Sequence, residues 1–127
     1  MFQCLQLRLG VIRFALLVAL GVLAGCGKRQ TSALLTPAEA QAAIQKAFKQ
    51  ATPESKDAAD QAAAAIQDEP ANALGKLQAL SSNPDLDSQQ RNATQESILM
   101  LAAKLRAAAA EGDTQAEKAL EAYRASK

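Results

Sequence analysis

Beyond residue 25 the chain holds 27 alanines among 102 residues, three isoleucines and no valine. Alanine is the best helix former, and β-branched side chains favour strands. The stretch is therefore expected to fold as an all-α domain. The same composition limits the core. Leucine, isoleucine and phenylalanine number 14 there, so helix faces must be built largely from methyl groups. Such faces let helices approach closely but bury little area each.

Prolines punctuate the stretch at positions 37, 53, 70 and 84. Thr36-Pro37 and Thr52-Pro53 are helix-start pairs, with Thr at the N-cap and Pro at the first helical position. Glu39 completes a capping box with Thr36, and Gln90 completes a second with Asp87. Leu35 stands where a hydrophobic staple forms. Ser81-Ser82-Asn83-Pro84-Asp85 reads as a turn, and Gly112 as the residue just past a helix end. Together these signals predict five helices, at about 37–50, 53–68, 70–81, 88–111 and 114–125. The third is expected to be capped by Asp68 or Glu69. The predicted architecture is a small alanine-rich bundle or a stack of helical hairpins.

Apolar spacing assigns the inner faces. The first helix offers Ala40, Ile44, Ala47, Phe48 and Ala51. The second offers Ala59, Ala62, Ala63 and Ile66. The third offers Leu74, Leu77 and Leu80. The fourth offers Ile98, Leu101, Leu105 and Ala108, with Leu99 and Met100 widening the stripe. The fifth offers Ala116, Leu120 and Tyr123. The leucine-rich part, from the third helix onward, is expected to be the compact portion. The first two helices are expected to form a looser hairpin. Pro70-Ala71-Asn72-Ala73-Leu74 resembles a tetratricopeptide start and Glu111-Gly112-Asp113 a Sel1-like turn. No fixed 34-residue period joins them, so a repeat array is not expected.

The first 25 residues are different material. They carry Arg8, Arg13 and no acid, then 12 uncharged, mostly apolar residues from Phe14 to Gly25. A basic start, a short apolar run and a small-residue exit describe a secretory signal peptide. A transmembrane helix needs ~20 apolar residues, and extending this run backwards brings Arg13 into it. The exit reads Leu23-Ala24-Gly25-Cys26. It resembles the lipobox of bacterial lipoproteins: an aliphatic residue, two small residues and a Cys. The resemblance covers residues 1–26. It implies a diacylglyceryl group on the Cys26 thiol, cleavage between Gly25 and Cys26, and an anchor in membrane lipid. Acyl chains contribute ~0.8 kcal/mol per buried CH₂, and two or more make a stable anchor. Cys4 would leave with the leader, so the mature chain would hold neither free thiol nor disulfide. Among such lipoproteins of two-membrane bacteria, an Asp after the Cys commonly retains the protein in the inner membrane. Here the residue is Gly27, which points to the outer membrane, facing the periplasm. The domain reading is thus 1–25 signal peptide, 26–35 lipidated Cys and tether, and 36–127 helical domain.

Candidate chemistry is sparse. The chain has no His, which removes imidazole bases, His-based zinc sites and Ser-His or Cys-His nucleophile pairs. Its net charge of +1 gives no basic field for nucleic acid. Asp57 with Asp60 and Glu117 with Glu121 share helix faces at i, i+3 and i, i+4. Paired carboxylates serve acid–base or metal chemistry, but such pairs are ordinary on solvated, mixed-charge faces. Asp85-Leu86-Asp87 lacks the Gly and distal Glu of a calcium loop and reads better as a turn and a cap. Asn92-Ala93-Thr94 matches a glycosylation triplet but falls inside a predicted helix. Phe48 and Tyr123 lie on apolar stripes and are assigned to the core. No catalytic residue, metal, cofactor or small-molecule substrate is expected, and an enzyme is not. Two functional classes remain: an envelope protein-interaction module, or a structural tether without a specific binding site.

Overall fold

The computed structural model describes residues 34–127; the leader and the Gly25-Cys26 junction lie outside the described residues. Five helices follow in order: α1 (Pro37–Ala47), α2 (Pro53–Asp68), α3 (Pro70–Ser81), α4 (Ser88–Ala110) and α5 (Thr114–Ala125). No strand occurs among the described residues, and none of these helices is long and apolar enough to cross a membrane.

The helix ends follow the sequence closely. Thr36 Oγ1 accepts the Glu39 amide at 3.3 Å, and Glu39 Oε2 accepts the Thr36 amide at 2.8 Å. Thr52 Oγ1 accepts the Ser55 amide at the start of α2. Asp87 and Gln90 form the second capping box, at 2.8 and 3.0 Å. Glu69 is the N-cap of α3, but its carboxylate accepts the Asn72 side chain instead of a backbone amide. At the end of α4, the Asp113 amide donates to the Ala108 carbonyl at 3.1 Å and the Gly112 amide to Ala109 at 3.0 Å. Gly112 sits at φ 97°, which completes a Schellman motif.

One boundary differs. α1 ends at Ala47, three residues short of the predicted end, and Phe48 turns the chain at φ −98°, ψ 7°. The chain then runs through a turn, with the Ala51 amide on the Phe48 carbonyl at 3.1 Å, before Pro53, whose ring keeps the preceding residue out of the α region. Thr52 is accordingly extended, at ψ 151°.

Packing closes a ring: α2 lies on α1 and α3, and α4 lies on α3 and returns to α1. α5 covers α4 and the adjoining side of α3. α2 and α3 run antiparallel, because Ser55 pairs with Asn83 and Gln61 with Lys76. α1 and α2 form a hairpin, with Gln67 Nε2 donating to Gln41 Oε1 at 2.7 Å, far from the turn.

The expected loose hairpin is corrected by this ring. Ile44, Phe48, Ala59, Ala62, Ala63 and Ile66 are all fully buried. Phe48 is the bulkiest fully buried side chain among the described residues. Eight of the 21 buried hydrophobic residues are alanines, whose methyl faces allow close helix approach.

α3 and α4 each meet three helices, and α4 is the longer. Ile98, Leu101 and Leu105 face inward as their spacing predicts, joined by Ala93, Thr94, Ser97, Met100 and Ala102. At 100° per residue these positions span more than half the helix circumference. Met100 is buried on the widened stripe, whereas Leu99 is left in solvent.

Candidate functional site

An open cleft of about 1140 Å³ lies beside the α1–α2 turn. Its walls are the first half of α2 and the second half of α3, and the loop 82–87 closes one side. Each wall is held by local chemistry. The α1–α2 turn is tied by the Ala51 amide on the Phe48 carbonyl at 3.1 Å. At the end of α3, Ser81 and Ser82 hydroxyls both donate to the Gln78 carbonyl. Asn83 Oδ1 then accepts the Asp85 amide at 2.9 Å, an Asx turn that starts the loop. Leu86 is buried and anchors the loop from below. The Arg91 guanidinium donates to the Leu86 carbonyl at 2.8 Å and fastens the loop to α4.

Two polar bridges cross between the walls. Asn83 Nδ2 donates to Ser55 Oγ at 3.3 Å, and Lys76 Nζ to Gln61 Oε1 at 3.2 Å. The apolar lining comes from Ala51, Ala58, Ala79, Leu80 and Leu86. Leu80 and Leu86 are at most 5% exposed, so this floor offers mainly alanine methyls. The charged lining is Glu54, Asp85 and Asp87 against Lys76. The arrangement suits binding through amides, hydroxyls and negative charge.

The residues singled out in the sequence fall elsewhere, apart from one motif. Cys26 and Gly25 lie outside the described residues. Asp60 is engaged by Lys56 at 2.5 Å on the outer face of α2. This contact and the Asp60 charge hold the Lys56 ammonium above the usual lysine range. Asp57 is exposed, as are Glu117 and Glu121 on α5. No group of three or more potential metal ligands gathers among the described residues. Asp85-Leu86-Asp87 supplies a turn residue, a core anchor and a helix cap, and its two carboxylates border the cleft. Asn92 is exposed on α4. Phe48 and Tyr123 are buried, with the Lys127 ammonium 4.8 Å from the tyrosine ring centre.

The cleft had no counterpart in the sequence reading. It arises where two connections, at residues 48–52 and 82–87, come together at the open end of the antiparallel α2–α3 hairpin. The available signal was that each connection holds two residues of the Ser, Thr, Asn and Gln kind: Gln50 and Thr52, and Ser82 and Asn83. That pattern marks a turn and carries no hint of pairing between turns.

No known family model, curated protein or solved structure matches the chain.

Proposed function

We propose that this protein is a membrane-anchored bacterial lipoprotein whose helical domain is a non-enzymatic protein-interaction module of the cell envelope. The observation that carries the reading is the order Arg8, Arg13, a short apolar run and Leu23-Ala24-Gly25-Cys26. The anchor is lipid on Cys26, and Gly27 after it supports an outer-membrane position facing the periplasm. The helical domain begins its first capping box at Thr36, ten residues after the anchoring Cys. A chain of that length spans roughly 17 Å on average when flexible, which keeps the domain near the bilayer.

Mass spectrometry of protein extracted from membranes tests the anchor. An acylated N-terminal Cys26 is expected, with residues 1–25 absent. A mature chain that keeps Met1, or one cut elsewhere with an unmodified thiol, overturns the reading. Density-gradient separation of the two membranes tests the Gly27 assignment.

The structural tether is the second reading. It is favoured by the scarcity of exposed large hydrophobic side chains, which among the described residues are Leu34 and Leu99. An interaction surface built on apolar area needs a contiguous patch. A module that works through the cleft needs polar complementarity instead.

A further inference from the structure

We propose that the cleft between α2, α3 and the loop 82–87 binds an extended, cationic polypeptide segment of an envelope partner. The proposal rests on the interaction-module reading and names the chemistry of its partner.

The argument begins with shape. The cleft is open, and its volume of about 1140 Å³ accommodates several residues of a chain without rearrangement of the helices. An amphipathic helix is a poor occupant, because helix-in-groove binding relies on apolar anchors. Here Leu80 and Leu86 are already committed to the core. An extended segment needs partners for its backbone amides and carbonyls. Gln50 in the lining both donates and accepts, while Thr52 and Gln90, whose oxygens already accept the Ser55 and Asp87 amides, offer their hydroxyl and amide N–H donors.

Charge then sets the sign. Glu54, Asp85 and Asp87 line the cleft against Lys76; Asp87 already accepts the Gln90 amide as a helix cap, and Lys76 is turned to Gln61 at 3.2 Å. Residues 34–127 carry ten basic and thirteen acidic side chains, so the excess of acid in the cleft accounts for much of the domain's imbalance. Complementary charge steers association and fixes register more than it adds raw affinity.

Position adds a second constraint. The chain enters the domain at Leu34, ahead of α1, and the cleft is lined from Gln50 onward. The 11 residues of α1 separate the two by ~16 Å. The cleft therefore lies at the other end of α1 from the point where the chain enters the domain.

The test uses the purified full-length protein in mild detergent and a fluorescein-labelled ten-residue peptide of alternating lysine and alanine. Matching glutamate–alanine and serine–alanine peptides serve as comparators. The lysine peptide is expected to bind, with amide resonances of residues 50–61 and 76–90 shifting. Glu54→Gln combined with Asp85→Asn should weaken it at least tenfold. Asp87 is left intact because it caps α4. Glu117→Gln with Glu121→Gln removes the same charge from α5 and should leave binding within twofold. Cys26→Ser protein should bind the peptide equally, so a failed anchor and a failed cleft are read separately. Equal binding of the glutamate or serine peptide overturns the proposal. So does equal loss in the α5 variant, a shift pattern outside the cleft, or no binding at millimolar peptide.

Discussion

Leu99 and Leu101 stand two residues apart on α4 and face opposite environments: Leu99 is 46% exposed and Leu101 is fully buried. Two residues on an α-helix turn the side chain through about 200°, so the pair reads out the orientation of α4. Leu101→Ala is expected to cost ~2–5 kcal/mol, through lost burial and the cavity it leaves. Leu99→Ala should stay within about 0.5 kcal/mol. Urea unfolding followed by circular dichroism compares them. A larger loss for Leu99→Ala means that the face of α4 has been assigned wrongly.

Phe48 carries the corresponding test for the α1–α2 hairpin. It lies just outside α1, yet it is wholly buried against the core. Phe48→Ala is expected to cost ~3–5 kcal/mol. Amide exchange should accelerate throughout the ring, including in α4. Loss of protection confined to α1 and α2 would restore the looser hairpin that the composition suggests.

Gly75 and Gly112 should respond to alanine with opposite signs. A Cβ meets no atom within 4 Å at either position, so neither change is decided by crowding. Gly75 lies inside α3 with ordinary helical backbone, and Gly75→Ala should stabilise by ~0.5–1 kcal/mol. Gly112 sits at φ 97°, where an L side chain costs ~1–2 kcal/mol. Gly112→Ala should destabilise by that amount. Thermal melts of the two single variants check the sign directly.

The elements were legible because each boundary has a local cause. Thr36, Thr52, Asp87 and Gly112 act within four residues of themselves, and all four do in the structure what their positions predict. The inner face of α4 was legible only in part. Ile98, Leu101 and Leu105 declare one stripe, but a helix touching three neighbours also buries polar positions that hydrophobic spacing passes over. Thr94 is one, and its hydroxyl is satisfied by donating to the Gln90 carbonyl at 2.8 Å. Ser97 is another, and its hydroxyl has no partner among the described residues. The cleft was not legible at all. Ser55 and Asn83 are 28 residues apart, and nothing local to either announces the other. The compactness of α1 and α2 was missed for a related reason. Alanine faces look weak when each residue is weighed alone, yet they gain from the short interhelical distances they permit.

Acid should weaken the α1 N-terminus through Glu39. The Thr36 amide, and after it the Thr36 hydroxyl, hydrogen-bond the Glu39 carboxylate and hold it below the usual glutamate range. A carboxyl whose folded value is depressed contributes stability above its unfolded value, about 4.3 for glutamate. That contribution is lost as pH falls through the lower folded value. Glu39→Gln keeps a side-chain acceptor for the capping box but removes the charge. The difference in melting temperature between the natural protein and Glu39→Gln should therefore be steady near neutrality. It should shrink as pH drops below about 4.3 and vanish once Glu39 is protonated in both states. Lys56 has the opposite sign: its raised value gives a contribution present below the ordinary lysine range and lost at higher pH. Melts of both proteins from pH 7 to pH 2, read by circular dichroism at fixed ionic strength, measure the difference. A gap that is flat across that window, or that widens in acid, shows that the Thr36–Glu39 box does not hold the charged carboxylate in solution.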